Sequence, residues 1–299
     1  GNREFEDLSS GINTMVKSII SISDRTSAII EMSGIPLAAF EYSMEADHVF
    51  ATSGLREFLG LDNSRSKALY QDSNAFDCYI HELLKNPVEG ESDVFRVGGR
   101  YIRIHMTKAD GKHLGVVMDA TKEIQEKLKM QYENTHDPLT GMYKFSYFKR
   151  KAAELIQTMP LGTCCAAAML DLDYFKSIND TFGHDMGDQY LQSFSAVMHS
   201  MPEAHFLLAR RSGDEFCMLI YNCASREEIL SFLKQFYKRL GENRIALSDT
   251  QIRVISASCG VACTNDSSDQ ISKLLSHADE ALYEVKRSKK GYFAEYQIP

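Results

Sequence analysis

The 299-residue sequence has no run long and apolar enough to span a membrane or serve as a signal peptide, no CxxC pair, and no surplus of basic charge. Each absence excludes something. Without an apolar span, this stretch reads as cytoplasmic domains. It starts at Gly1 rather than Met, so the expectation is a parent protein anchored in the inner membrane by a segment upstream. The seven cysteines are odd in number and lie mostly inside apolar runs, which excludes a disulfide framework or a zinc site and fits buried thiols in a reducing compartment. A net charge of −8 excludes a general nucleic-acid binder, whose phosphate contacts need a basic face. It leaves room for a small anion at a locally positive site. What is present is ordinary globular material, 44% hydrophobic and 25% charged, in a length comfortable for two domains.

Within residues 1–32, Phe5, Leu8, Ile12, Met15, Ile19 and Ile22 are spaced 3, 4, 3, 4, 3, the a/d seam of a coiled coil. Polar residues flank the seam, so it is expected to pair two copies of the chain. The stretch EFEDLSSGINTMVKSI also resembles the last helix of a HAMP relay module. Residues 33–121 change texture to short β-like runs, PLAAFEYS, DVFRVGGRYIRIHMT and KHLGVVMDAT, with turn signals at Gly98-Gly99 and Asp110-Gly111. Strands, small helices, a long hairpin and a closing strand resemble a PAS sensor domain, and Asp119–Thr121 looks like the Asp-x-Thr that joins such domains to an output helix. That resemblance implies an unidentified small ligand. His48, His81, His105 and His113 have no supporting motif and read as surface or core histidines. Residues 122–135 form a charged helical linker whose stripe of Ile124, Leu128 and Tyr132 offers a second place for two chains to pair.

From residue 136 to 299 the pattern alternates. A strand over 163–172 leads to a helix ending near Gly183, and a second helix is expected over 188–201. Next come two strands flanking RRSGDEF. Ser225 and Glu228 read as a capping box for a helix stopped by Gly241. A strand over 252–263, a helix bearing Leu274, Leu275 and Leu282, and a last strand YFAEY complete a βααββαβ order. One antiparallel hairpin in that order predicts an α/β sandwich of the ferredoxin-like kind. The whole chain is therefore expected to be α+β, a PAS-like antiparallel sheet domain followed by the sandwich.

Asp171 closes the apolar run CCAAAML, and the topology sets that strand end beside the hairpin carrying Asp214. Two or three oxygens converging at a sheet edge suit Mg²⁺, which takes few protein carboxylates and keeps positions for substrate phosphate; Mn²⁺ fits the same donors. Asp173 reads as the cap of the following helix, whose first N–H groups at Tyr174 and Phe175 would cradle a phosphate. Lys286 and Lys290 are expected one turn apart on the last helix, facing a triphosphate.

The blocks DPLTGMYKFSYF (137–148), DLDYFKSINDTFGHDMGD (171–188), RRSGDEF (210–216) and ADEALYEVK (278–286) together resemble the GGDEF family, the diguanylate cyclases. The resemblance implies a nucleotidyl-cyclase type of sandwich that condenses two GTP molecules into cyclic di-GMP with loss of two pyrophosphates. It implies Asp171, the Leu172 carbonyl and Asp214 as Mg²⁺ ligands and Glu215 as the group that helps activate the ribose 3′-OH. Asn179 and Asp188 would read guanine, His184 would border the substrate, and Lys286 would hold phosphates. A carboxylate at Asp188 can accept from guanine N1–H and the amino group, donors that adenine does not present there. The chain departs from the pattern at three places: Ser212 for the motif's first glycine, Lys290 for an arginine, and Lys144-Phe145 for an Asn-Arg pair. The RxxD product-inhibition site is also missing, with Glu203 and Phe206 at its positions.

A Ser-Gly pair satisfies a turn needing positive φ at its second central residue, which Gly213 would supply, and the small Ser212 hydroxyl could donate to a phosphate. The expectation is an active, signal-controlled, homodimeric enzyme. The competing readings are a catalytically silent module that binds nucleotide or relays conformation, and a sensor whose dimerisation is the output.

Overall fold

The computed structural model describes residues 36–297, so the heptad seam from Phe5 to Ile22 lies outside the described residues. Two compact units divide between Lys129 and Met130. No helix among the described residues is long and apolar enough to cross a membrane.

The first unit is a five-stranded antiparallel sheet in the order β2-β1-β5-β4-β3, made of β1 (Leu37–Tyr42), β2 (Val49–Ala51), β3 (Val94–Val97), β4 (Arg100–Ala109) and β5 (Lys112–Asp119). The hairpins turn at Gly98-Gly99 and Asp110-Gly111, as the turn signals predict. Strict alternation along β1 sends Ala38, Phe40 and Tyr42 to one buried face. There they meet Phe76 and Ile80 of α3 (Ser73–Leu84), which follows α1 (Leu55–Phe58) and α2 (Asn63–Tyr70). Asp62 and Asp72 start α2 and α3 by accepting backbone N–H groups from Arg65 and Ala75 at 2.7 and 2.9 Å.

Helix α4 (Thr121–Thr135) begins where Asp119 Oδ1 accepts the Thr121 N–H at 2.7 Å. The Thr121 hydroxyl in turn accepts from the Tyr101 N–H at 3.0 Å. That pair of bonds is the physical content of the Asp-x-Thr signal. The expected apolar stripe of this helix is split: Ile124 is buried against Val94 and Ala120, whereas Leu128 and Tyr132 are exposed. Only the latter two of that stripe are open to solvent.

The second unit is a six-stranded sheet in the order β13-β12-β7-β9-β8-β6, built from β6 (Tyr143–Lys144), β7 (Cys164–Leu172), β8 (Phe206–Ser212), β9 (Glu215–Cys223), β12 (Ala257–Thr264) and β13 (Phe293–Glu295). Strand β7 is apolar on both faces because both are covered. Ala166, Ala168 and Leu170 face a core with Tyr190 and Phe194 of α7 (His184–His199) and Leu233 and Phe236 of α8 (Arg226–Glu242). Cys165, Ala167 and Met169 face Phe148 and Ile156 of α5 (Phe145–Gln157) and Leu275 and Leu282 of α9 (Ile271–Ser288). Burial of each such aromatic or aliphatic side chain contributes about 1.5–3 kcal/mol, so the two cores fix the sheet edge between them.

Three local expectations change. Helix α7 starts at His184, earlier than 188, since only Gly183 separates it from α6 (Phe175–Phe182). Helix α8 runs through Gly241, whose cost of about 1 kcal/mol in a helix is offset by buried Leu240 beside it. The strand expected over 252–263 is two strands. β11 (Gln251–Val254) pairs with β10 (Arg244–Ser248) in a separate hairpin, and β12 resumes in the main sheet.

Candidate active site at the end of the central strand

Strand register brings the carboxylates together. Asp171 pairs with Glu215 across β7 and β9, and the Leu172 N–H donates to the Asp214 carbonyl at 3.1 Å. The SGDEF turn has Gly213 and Asp214 as its two central residues between paired Ser212 and Glu215. Gly213 holds φ +49 at the first of those positions, not the second, while Ser212 stays in the strand. The residue in glycine's place therefore sits where any L-residue fits, and its hydroxyl donates to Glu215 Oε2 at 3.1 Å.

Asp171 is half-buried and its Oδ2 lies 2.6 Å from Lys286 Nζ. Burial raises its carboxyl above the usual range; the Lys286 ammonium opposes the rise, and the charges of Asp214 and Glu215 reinforce it. Three carboxylates thus share one edge with two cations, the Lys286 ammonium on Asp171 and the Arg211 guanidinium 3.8 Å from Glu215. Among the described residues no cluster of three or more His, Cys, Asp or Glu side chains could hold a metal by itself. The available set is the two aspartates with the Leu172 carbonyl, all hard oxygens, and a divalent cation of the Mg²⁺ or Mn²⁺ kind would offset the burial and neighbouring charge that disfavour ionised Asp171.

Asp173 does not cap α6. It is 2% exposed and accepts from the Ser256 and Ser258 hydroxyls at 2.6 and 2.8 Å, while its own N–H donates to the Ser256 carbonyl at 2.9 Å. The cap position belongs to Tyr174, a left-handed residue at φ +62 with an exposed ring. Phe175 turns its side chain into the core, leaving only its backbone for a ligand. Lys290 is not on α9, which ends at Ser288; its ammonium stands 4.8 Å from the centre of the Tyr174 ring.

Asn179, on the second turn of α6, has a buried Oδ1 with no hydrogen-bond partner. It packs against Gly187 of α7, where an added Cβ would come within 1.8 Å of that oxygen. A glycine at 187 leaves the space that the Asn179 side chain occupies. Asp188 follows immediately, and both it and His184 are exposed on α7. From Tyr174 to Asn179 the helix rises roughly 7–8 Å, which sets Asn179 farther along α6 from its start beside the carboxylates.

Other contributions are invisible in sequence spacing. Arg210 donates to the Asp137 carboxylate at 3.2 Å and, through Nε and a terminal nitrogen, to the Gly213 carbonyl at 3.0 and 2.8 Å, tying the turn to the start of the unit. The motif blocks contain both Arg210 and Asp137, but nothing in them signals the contact. The two serines that hold Asp173 carry no sequence signal either.

The site thus combines paired carboxylates at one end of the sheet, a neighbouring helix N-terminus and a lysine from the last helix in one α/β domain. Residues 134–291, more than half of the chain, match the family model for the diguanylate cyclase GGDEF domain, and the chain belongs to that family. It is 31% identical over 156 residues to the response regulator PleD of Caulobacter vibrioides, covering 52% of this chain and 34% of PleD. It is 26% identical over 260 residues to the diguanylate cyclase DosC of Escherichia coli, covering 85% of this chain and 52% of DosC. The diguanylate cyclase SiaD of Pseudomonas aeruginosa, solved with its activator SiaC, superposes with a TM-score of 0.50 at 26% identity over 58% of this chain and 67% of SiaD. The chain spans between about a fifth and a half of the length of the curated relatives it matches.

Proposed function

We propose that the chain is the catalytic portion of a diguanylate cyclase, joining two GTP molecules into cyclic di-GMP in a homodimer whose pairing is set by a PAS-like sensor unit. The observation that carries this is the meeting of Asp171, Asp214 and Glu215 at the end of β7, one helix away from the Asn179–Gly187–Asp188 corner. Asp171, Asp214 and the Leu172 carbonyl would hold Mg²⁺, which supplies neutralisation of the charge on the α-phosphate and on departing pyrophosphate. Lys286, Lys290 and the N–H groups of Tyr174 and Phe175 bind phosphates. Asn179 and Asp188 hold the guanine edge, with His184 alongside. Unsatisfied Oδ1 on Asn179 supports that role, since a buried acceptor without a donor costs about 1–3 kcal/mol until a ligand supplies one.

Each 3′-oxygen forms a bond to the α-phosphorus of the other GTP as the bond from that phosphorus to its pyrophosphate breaks. The hydroxyl proton departs toward Glu215 or water. One chain presents one such site, so two must face each other with reacting atoms about 3–3.5 Å apart. The five-stranded sheet of the first unit and its helix α4 support a sensor that governs this approach, and exposed Leu128 and Tyr132 support pairing through that helix. Because Glu203 and Phe206 stand at the inhibitory-site positions, added product is expected to inhibit only by competing with GTP.

The second reading is a catalytically silent nucleotide-binding module, favoured by the Lys286–Asp171 ion pair, which occupies a proposed metal ligand. Incubating the purified chain with GTP and Mg²⁺ decides between the two. The cyclase reading expects cyclic di-GMP and pyrophosphate in a one-to-two ratio; bound but unconverted GTP would favour the silent module.

A further inference from the structure

Arg253 lies on the β10–β11 hairpin, a part of the molecule that the site as described does not use. Its guanidinium carbon stands 5.3 Å from the centre of the Tyr174 ring, the same ring that Lys290 approaches at 4.8 Å. Two cations therefore converge on one exposed tyrosine, and among the described residues neither has a carboxylate within ion-pair distance. Attraction to a ring face is worth only about 0.5–1 kcal/mol at an exposed position, so it leaves both charges largely uncompensated and available to an anion.

The placement is built rather than accidental. Three residues beyond Arg253 the chain reaches Ser256, whose hydroxyl and carbonyl both bond Asp173 and whose N–H donates to the Tyr190 hydroxyl at 3.2 Å. Asp173 directly precedes Tyr174. The buried carboxylate thus locks the strand carrying Arg253 to the residue whose ring Arg253 covers. Tyr174 itself holds a left-handed conformation at a cost of about 1–2 kcal/mol, and such strain concentrates at ligand sites.

We propose that Arg253 is a phosphate-binding residue of the nucleotide site, supplying from the hairpin a guanidinium that works with Lys290 beside Tyr174. This rests on the GTP-binding reading above. The chemistry is complementary: Lys290 brings a compact charge, while a guanidinium offers two parallel N–H donors matched to two phosphate oxygens.

The test is calorimetric titration of the intact chain with three probes: a GTP analogue carrying a methylene bridge between the α- and β-phosphates, the corresponding GDP analogue, and guanosine. Arg253→Met keeps the aliphatic stem against the ring, and Arg253→Lys keeps the charge without the fork. The expected result is about tenfold weaker binding of the triphosphate by Arg253→Met, discounted for solvent exposure, with a smaller loss for the diphosphate and none for guanosine. Arg253→Lys falls between Arg253→Met and the unaltered chain. Melting temperatures should be unchanged. Unaltered triphosphate affinity in Arg253→Met, or an equal loss for guanosine, overturns the proposal while the GTP-binding reading stands. If the unaltered chain binds no triphosphate analogue, that reading falls and this inference with it.

Discussion

The two ends of strand β7 both pair with β9, the start across a bulge between Cys164 and Ala166, and have opposite chemistry. At its start, Cys164 lies opposite Cys223, with Cys165 one residue on, and burial pushes the thiols of Cys165 and Cys223 up to about 12. Groups that start neutral are kept neutral by burial, so this end is inert packing. At its finish, Asp171 faces Glu215 beside Asp214; burial and the two neighbouring carboxylates raise the carboxyl of Asp171, and the Lys286 ammonium opposes them. The same burial that quiets thiols leaves a carboxylate dependent on a counter-charge. The proposed function belongs at the end where charged groups meet.

The sharpest break of that comparison is mutational. Asp214→Asn should lower cyclic di-GMP turnover by about 10³-fold or more with little change in melting temperature, because it removes a proposed metal ligand from a surface turn. Cys223→Ala should do the reverse, costing about 1 kcal/mol or more of stability in a denaturant titration and leaving turnover per folded chain intact. Equal effects of the two on turnover would erase the distinction between the ends.

The next effect concerns what brings two sites together. Leu128→Glu with Tyr132→Glu should cut turnover at micromolar protein by about a hundredfold, since tethering at millimolar effective concentration is lost. Ile124 is unsuitable for this test: it belongs to the core of the first unit, and its replacement would unfold rather than separate. An unchanged rate per chain on dilution would mean that the helix does not bring the sites together.

A more modest change is expected at the far end of α6. Asp188→Ser should erode a discrimination of GTP over ATP that sites of this kind hold at roughly 10⁴-fold. Initial rates with each nucleotide measure it, and equal use of ATP by the unaltered chain would contradict the base-reading role.

The smallest effect is on stability. A carboxyl raised in the folded state binds its proton more tightly than in the unfolded chain, so Asp171 favours folding at acid pH. It becomes a penalty as pH rises from the ordinary aspartate range through its own higher value. Asp171→Asn should therefore melt slightly higher at pH 7 and show a flatter stability profile across that window. A profile identical to that of the unaltered chain would mean that burial does not govern this carboxyl.

Much of the fold and of the candidate site is legible in the amino-acid sequence, and the limits have physical causes. Hairpins at Gly98-Gly99 and Asp110-Gly111 are legible because turn chemistry is local. The meeting of Asp171 with Asp214 is legible because an apolar run ending in a carboxylate and a hairpin tip have few ways to pair. The break between β11 and β12 is not, since the run of β-prone residues continues across Ile255 and Ser256 while the partners change. Nor is the place of Lys290, because the spacing from Lys286 reads as one helical turn whether or not the helix persists. Asp173 misleads for a similar reason: a carboxylate before a helix looks like a cap, and only the fold brings Ser256 and Ser258 to it.

The most direct measurement is binding of Mn²⁺, followed by electron paramagnetic resonance, to the unaltered chain and to Asp171→Asn and Asp214→Asn in the presence of the methylene-bridged GTP analogue. Bound Mn²⁺ is predicted in the unaltered chain and at least about tenfold weaker binding in each variant, with the analogue still held through Asn179, Asp188 and Lys286. Equal Mn²⁺ binding by all three proteins would contradict the assignment of the carboxylate end of β7 as the catalytic centre.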